Sequence, residues 1–236
     1  MKLEIEGDRQ LIAWTIARSL YGANKRLCLI RGVQQRIIPV IVDSTNISLT
    51  PKKELVFSND ALIKAAKFGF AFPKLSSLLY GPLNGFKAIK LMLEINRFYM
   101  QEKPSVDQVM VLISLGLEAT VAFLNYQPVA MDLMQDEIGC VQFYLANRYL
   151  GSIFKKHGGN WLYTPEKSEV QASVVVTFQD LEMTMNAAFG RVDPLIDPPQ
   201  GRLLIEGRLP LLEKVAYVSR LVEKNLPFPA NSPHAH

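Results

Sequence analysis

The chain has 236 residues, of which 49% are hydrophobic and 20% charged, and its formal net charge is +4. This composition excludes a wholly disordered chain, and the length fits one large domain or two small ones. The charge excess is too small to indicate nucleic-acid binding, although it suits an anionic surface such as a bilayer. Cys28 and Cys140 stand far apart, so we expect no disulfide framework and a reducing, cytoplasmic compartment.

The opening of the chain predicts a strand, a helix and then several short strands. Leu3 and Ile5 alternate with polar residues, and the apolar residues that follow recur at helical spacing. A turn-forming stretch at 21–24 predicts the end of that helix. β-rich runs predict strands at 27–30, 36–42 and 47–49. No apolar run follows the charged first residues, so the sequence predicts no secretory signal.

Helices dominate the prediction from residue 58 to residue 126. Residues 58–60 offer helix N-caps, and residues 86–100 predict an amphipathic helix with one narrow charged stripe. Lys87, Lys90 and Arg97 lie on that stripe, and we predict that they contact an anionic membrane surface. The alternative is a core helix whose charges face water.

A second long apolar segment, residues 106–126, is bracketed by Pro104 and Pro128. Its acidic residues are costly in a bilayer, so the pattern favours a buried helix over a membrane-spanning one. Glu118 is the candidate there for a perturbed pKa. It faces a ligand head group, lies at the surface or pairs with a lysine, and the sequence leaves these alternatives open.

From residue 129 the hydrophobic period changes to two, which predicts strands. These lie at 141–145, 149–154, 161–163 and 170–178, and a turn at 155–160 joins the middle two. Asp180 then caps a helix that ends at residues 189–190, and a further strand occupies 202–206. The last helix has an apolar stripe formed by Leu211, Val215, Val218 and Val222.

Two internal similarities suggest a repeat. Residues 3–11 match residues 203–211. In a second set, five residues of the N-terminal half are each matched by an identical residue the same number of positions later in the chain. The second set pairs Phe57 with Phe178, Ala66 with Ala187, Phe68 with Phe189, Gly69 with Gly190 and Pro73 with Pro194. If this second similarity records a duplication, both copies should form strand end, helix, glycine and loop in equivalent places on their sheets. The alternative is that strand–glycine–helix units look alike in any chain with both kinds of element.

The chain lacks the motifs of phosphate loops, dinucleotide sites, serine hydrolases and zinc proteases. His157 is the one histidine outside the tail, which argues against a histidine metal site or a histidine-based triad. We therefore predict no catalytic residues, no metal site and no cofactor, and the sequence favours a non-enzymatic role.

Three segments of the C-terminal half resemble the sterol-carrier-protein-like lipid-binding family. They are Val174, Val175, Val176, Thr177, Phe178, Gln179 and Asp180; Gly190, Arg191, Val192, Asp193 and Pro194; and Gly201, Arg202, Leu203, Leu204, Ile205, Glu206 and Gly207. In that family a strand ends in Phe and Asp, a helix ends in Gly, and a later strand ends in Gly before the last helix. The resemblance covers residues 129–226. It departs at Arg208, where the family often has Asp, and at the proline-rich loop 197–200.

The resemblance implies a small α+β domain in which helices cover an antiparallel sheet, with an apolar tunnel between the layers. Members of the family bind fatty acyl chains, sterols or other lipids, and bacterial relatives serve as accessory factors in isoprenoid-quinone synthesis. Such a carrier needs an apolar cavity rather than acid–base residues. Methionines on the helix that follows Asp180 suit an adaptable apolar site.

We therefore predict an α+β protein with a mixed strand-then-helix N-terminal region at 1–127, which forms a degenerate repeat or packs on the rest. The sterol-carrier-like domain spans 128–228, and a disordered tail spans 229–236. The predicted ligand-binding residues are Phe143, Leu145, Val174, Val176, Phe178, Met183 and Ala187. The predicted function is non-catalytic binding or transfer of an apolar lipid. The alternative is an interaction or scaffold module with a filled core and a basic helix. The sequence leaves the oligomeric state open.

Overall fold

The computed structural model describes residues 7–33, 40–42, 46–50, 55–80, 82–192 and 200–226. The chain divides into two compact units. Unit 1 contains Met1–Glu102 and Asn225–His236, and unit 2 contains Lys103–Lys224. This division differs from the predicted boundary at 127/128, because the segment from Lys103 onward belongs to unit 2. The tail predicted at 229–236 lies outside the described residues.

Unit 1 combines helices with a small antiparallel sheet. Its elements are α1 (Asp8–Arg31), β1 (Ile41–Val42), β2 (Asn46–Ser48), β3 (Val56–Ser58), α2 (Asn59–Phe68), α3 (Leu75–Tyr80) and α4 (Pro82–Met100). The strand order is β1-β2-β3, and the fully buried side chains of Ile47 and Phe57 face each other across β2 and β3. Helix α1 packs against α2. β1 and β2 lie at the strands predicted for 36–42 and 47–49, of which residues 36–39 lie outside the described residues, and α2–α4 follow where the sequence predicts helices. β3 is not among those predicted strands.

Helix α1 continues through residues 21–24 and 27–30, so the predicted stop and the predicted strand there are both wrong. Leu20, Ala23 and Leu27 are buried along α1. Their burial outweighs the roughly 1 kcal/mol that a glycine such as Gly22 costs inside a helix. The helix ends at Gly32, whose φ of 61° is left-handed. The predicted first strand, and with it half of the first internal similarity, lies outside the described residues.

Unit 2 is built on a five-stranded sheet. Its elements are α5 (Val106–Tyr126), α6 (Pro128–Met134), β4 (Gly139–Leu145), β5 (Arg148–Lys155), β6 (Trp161–Thr164), β7 (Val174–Phe178), α7 (Leu181–Ala188), β8 (Leu203–Gly207) and α8 (Leu209–Asn225). The strand order is β6-β5-β4-β7-β8, and every neighbouring pair is antiparallel except the parallel pair β4–β7. The protein is therefore α+β, as predicted, with a mainly antiparallel sheet and covering helices.

One strand of unit 2 is shorter than its sequence pattern suggests. The alternating run begins at Val170, but β7 begins only at Val174. The N–H group of Val170 donates to Ser168 Oγ at 3.1 Å, a local bond that takes the place of a ladder hydrogen bond. The alternation therefore extends into a turn that the sequence pattern does not distinguish from the strand.

Helix α5 is long and apolar enough to span a membrane, with a mean hydropathy of 1.7 over its most apolar window, yet 72% of that window is buried in the structure. It packs against β5, β6 and α7. A capping box starts it, in which Ser105 and Gln108 each accept a hydrogen bond from the other's backbone N–H group. These contacts match the buried helix that the sequence favours.

The two segments that contain the second set of matches share a strand end, a capped helix and a glycine, as the repeat hypothesis predicts, whereas Pro194 lies outside the described residues. Ser58 caps α2 and Asp180 caps α7 through side-chain hydrogen bonds. A left-handed glycine follows each helix, Gly69 with a φ of 83° and Gly190 with a φ of 68°. The sheet positions differ, because β3 pairs only with β2 among the described strands, whereas β7 lies between β4 and β8. The requirement for equivalent sheet positions is therefore not met.

The turn between β8 and α8 is held by charges around Glu137. The guanidinium of Arg208 and the ammonium of Lys214 both contact the Glu137 carboxylate, with Lys214 Nζ 2.6 Å from Oε1. Arg208 also donates to the carbonyl oxygen of Ile138 at 3.3 Å. The hydrogen bond from Lys214, aided by the charge of Arg208, holds the pKa of Glu137 below its ordinary value although burial opposes this. Arg208 thus ties α8 to the segment before β4.

We expect Glu137→Gln to lower the free energy of unfolding by about 1–3 kcal/mol at neutral pH, because two charge-assisted hydrogen bonds are weakened. The folded pKa of Glu137 is lowered, so the stabilisation is complete above the ordinary value of 4.5 and is lost as the pH falls through the folded pKa. The difference between Glu137→Gln and the parent should therefore shrink on acidification, as measured by urea unfolding at several pH values. Exposed Glu182 provides the control Glu182→Gln, and a pH-independent difference for Glu137→Gln would contradict this expectation.

Candidate functional site

Five of the seven predicted ligand-binding residues lie side by side on one face of the unit 2 sheet. The parallel register of β4 and β7 pairs Phe143 with Val176 and Leu145 with Phe178, and it pairs Val174 with the residue two before Phe143. Side chains alternate along a strand, so these residues project to the same side of the sheet. We call this surface the β4–β7 face: Phe143, Leu145, Val174, Val176 and Phe178.

The β4–β7 face is covered in the structure. Val174, Val176 and Phe178 are at most 4% exposed, and Phe143 and Leu145 are 9% exposed. The antiparallel pairing of β7 with β8 continues the face to Ile205 and Leu203. The least buried residues, Phe143 and Leu145, therefore lie toward the end of β4 at which the chain turns into β5.

Helix α7 supplies the two predicted residues outside the strands. Met183 is fully buried, and Ala187, one turn further along the helix, is half-buried. Asp180 fixes the start of α7 because its Oδ1 accepts from the Met183 N–H group at 2.6 Å. Arg202, just before β8, lies 3.7 Å from the same carboxylate group. The cap and this ion pair hold α7 beside β7 with Met183 turned inward.

Two further helices complete the apolar layer of unit 2. The predicted stripe on α8 is confirmed, since Leu211, Val215, Val218 and Val222 are all buried. Helix α5 is fixed to β6 by polar bonds: Tyr163 donates to Ser114 Oγ at 2.6 Å, and Asn125 makes two 2.9 Å bonds to the backbone of Trp161.

Glu118 lies on the α5 stripe that carries Ser114 and Asn125, because the spacings of four and seven residues return to the same helix face. Glu118 is buried, with only 1% of the residue exposed. The alternative that placed Glu118 at the surface is therefore wrong. The stripe shared with Ser114 and Asn125 places Glu118 on the side of α5 that meets β6.

The opposite face of the sheet carries polar residues that the sequence prediction did not single out. Tyr144 donates to Gln142 Oε1 at 3.0 Å, and its ring meets that of Tyr149 edge-on with centroids 5.3 Å apart. Burial raises the pKa values of Tyr149 and of the nearby Cys140 thiol. Side chains alternate along β4, so Gln142 and Tyr144 face away from the β4–β7 face. This alternation is the sequence signal that could have placed them on the opposite face.

The chemistry of this polar cluster does not suit nucleophilic catalysis. A cysteine attacks as its thiolate, and the raised pKa of Cys140 keeps the thiol protonated at neutral pH. Within the described ranges, no group of three His, Cys, Asp or Glu side chains is placed to hold a metal ion.

The predicted membrane-contact residues lie in unit 1. Lys87, Lys90 and Arg97 are all exposed on α4, and their spacing places them on one side of the helix. The opposite side packs inward through Ala88, Met92 and Ile95. A void of about 10 Å³ in unit 1, lined by Leu20, Tyr21, Val40, Leu49 and Leu91, has room for at most one water molecule. That void is too small for a lipid chain.

Among the comparisons with known proteins, only the comparison with solved structures gives matches. No protein-family model matches the chain, and no curated protein matches it either. The solved structures that are similar include the solution structure of the sterol carrier protein domain 2 of Helicoverpa armigera. That domain is 23% identical over 44% of this chain and 80% of its own length, with a TM-score of 0.31. This chain is thus weakly similar to a sterol carrier protein domain, and a likeness at this level carries no conclusion about function.

Proposed function

We propose that unit 2 binds an apolar lipid without catalysis, between the β4–β7 face and helix α7. The observation that supports the proposal is the continuous apolar face formed where β4 and β7 pair in parallel. The ligand class is a fatty acyl, sterol-like or isoprenoid-quinone lipid, because each offers a long apolar body to such a surface. Transfer of the lipid between sites would follow from reversible binding.

The covering helix is suited to admit an apolar chain. Helix α7 spans only Leu181–Ala188, and it turns Met183 and Met185 into the core. Methionine has an unbranched, flexible side chain that adapts to irregular apolar shapes. Rotation of such a buried side chain would open space beside α7 without breaking the backbone hydrogen bonds of the sheet. We place the entry beside Ala187, which is half-buried, and Leu145, which is less buried than Val174.

A second function has an observation in its favour. Met183 and Val174 are completely buried in the structure, as expected of a core filled by its own side chains. Under this alternative, unit 2 is a scaffold and the basic helix α4 binds a partner. The two functions differ in one property, since only the first requires a lipid to enter unit 2.

Mass spectrometry of the gently purified full chain, after organic extraction, tests the proposed function. We expect a stoichiometric apolar lipid, and we expect the stripped protein to bind a fluorescent fatty acid that unlabelled lipid displaces. The masses of the extracted lipids distinguish acyl, sterol-like and quinone ligands. An extract without lipid, together with no fatty-acid binding by the stripped protein, would support the scaffold function instead.

A further inference from the structure

Unit 1 exposes a concentration of large apolar side chains between the end of α2 and the first turn of α4. Six residues are 63–78% exposed, and we call them the 68–86 surface: Phe68, Phe72, Leu75, Leu79, Leu83 and Phe86. Isolated exposed apolar residues are ordinary, but a concentration of this kind marks an interaction site. The site differs from the β4–β7 face, whose residues are buried.

The backbone that carries the 68–86 surface is held in place. The Lys74 N–H group donates to the carbonyl oxygen of Val56 in β3 at 2.8 Å, and Ser77 Oγ donates to the Lys74 carbonyl at 2.7 Å. Leu78 packs at the position where Gly85 lacks a side chain, which joins α3 closely to α4. With Leu78 and buried Ser77 turned inward, Leu75 and Leu79 face outward on α3.

The charge of this region has one sign. Residues 61–93 contain no Asp or Glu, and their lysines are Lys64, Lys67, Lys74, Lys87 and Lys90. All five are exposed, and no ion pair holds them in the described part of the chain. The next acid, Glu94, contacts the guanidinium of Arg31 within unit 1. A partner of the 68–86 surface must therefore be both apolar and anionic.

Helix α4 combines the two properties on one face. Leu83, Phe86, Lys87, Lys90, Leu93 and Arg97 are all exposed, and a period of 3.6 residues places them on the same side. An interfacial helix has this character: its apolar side chains enter the acyl boundary while its lysines reach the phosphates. A second copy of the chain would bring five lysines against five lysines, so charge disfavours self-association here.

We propose that the 68–86 surface, with Lys87, Lys90 and Arg97, docks reversibly on an anionic phospholipid bilayer. Phe72, Leu75 and Leu79 enter the interfacial layer, and the lysines of α4 bind lipid phosphates. The proposal does not rest on the lipid-binding function of unit 2, although docking would bring unit 2 to a lipid source. The protein would then be a peripheral membrane protein.

Sedimentation of the full chain with vesicles tests the proposal. We expect binding to phosphatidylcholine vesicles that contain phosphatidylglycerol, weaker binding as salt rises, and little binding to phosphatidylcholine alone. Lys87→Glu with Lys90→Glu should weaken binding at least about tenfold, since each basic residue near an anionic surface strengthens binding about fivefold. The combination Leu75→Ser, Leu79→Ser and Leu83→Ser should also weaken it about tenfold or more.

Matched controls lie in unit 2. Leu162→Ser with Leu204→Ser removes apolar side chains that are 49% and 50% exposed, and Lys156→Glu with Lys224→Glu reverses two exposed charges. Both controls should bind vesicles like the parent. Every variant should melt like the parent, because each changed side chain is exposed, and fatty-acid binding without vesicles should be unchanged.

Three results would overturn the proposal: no vesicle binding by the parent, equal binding to neutral vesicles, or equal losses in the unit 2 controls. A dimeric parent that becomes monomeric in the three-leucine variant would assign the surface to a second copy instead. A failure of the fatty-acid assay with intact vesicle binding would contradict the function of unit 2 alone.

Discussion

Gly207→Ala should lower the free energy of unfolding by about 3–5 kcal/mol, the largest loss we expect from a methyl group added to any glycine that the structure describes. Gly207 ends β8 with a φ of 101°, a conformation that side-chain-bearing residues rarely adopt. A Cβ atom there would lie 2.3 Å from the carbonyl oxygen of Ser173, which belongs to the backbone and cannot rotate away. Backbone strain and steric overlap therefore act together, and they would separate the end of β8 from the start of β7.

Substitutions at two other glycines of unit 2 allow the effects of backbone strain and steric overlap to be measured separately. Gly201 has a φ of 70° but no atom within 4 Å of an added Cβ, so Gly201→Ala should cost only about 1–2 kcal/mol, from the left-handed backbone alone. Gly116 lies in α5 with open space around it, and Gly116→Ala should stabilise the helix by about 0.5–1 kcal/mol. Urea unfolding of the three variants gives the comparison. Equal losses for Gly207→Ala and Gly201→Ala would show that the close approach to Ser173 has no energetic effect.

The strands of unit 2 could be predicted from sequence because each has a local signal. Apolar residues occupy every second position of β4 and β7, and the α8 stripe recurs at helical spacing through Leu211 and Val222. Alternation within β7 also places Val174, Val176 and Phe178 on one face before any partner is known. These signals need only neighbouring residues, so a single sequence contains them.

The pairing of β4 with β7 could not be predicted in the same way. The two strands are separated by β5 and β6, and no local pattern sets which strands pair, in which direction and in what register. The alignment of Phe143 with Val176 depends on the whole sheet. Only the family resemblance anticipated one covered apolar surface, and it did not anticipate the parallel direction.

In helix α1, by contrast, a local sequence signal is present but gives the wrong prediction. A local stop signal at Gly22 and Asn24 is present, but both residues are buried inside a helix that runs from Asp8 to Arg31. Tertiary burial outweighed local preference there. The exposure of Phe72 and Leu79 was also not predictable, because an apolar residue in a chain broken by glycine and proline fits a core as well as it fits a docking surface.

Met183 is the residue at which lipid binding and a filled core predict different results. Truncation of a packed core methionine costs about 2–5 kcal/mol, and we expect that loss for Met134→Ala, since Met134 of α6 is 1% exposed. Met183→Ala should cost less, about 1–2 kcal/mol, if its side chain borders space that a lipid occupies. Chemical unfolding of both variants in lipid-free and lipid-loaded form measures the difference.

The most direct test of lipid binding by unit 2 is displacement of a fluorescent fatty acid from Met183→Trp, read beside thermal melting. We predict that the larger ring fills the site, so that affinity falls at least about tenfold while the protein still melts cooperatively. Met183→Phe should give a smaller loss in the same direction, and Met134→Ala should bind like the parent. Unchanged affinity in both Met183 variants, or a parent that binds no fatty acid and is strongly destabilised by Met183→Ala, would contradict lipid binding at this site.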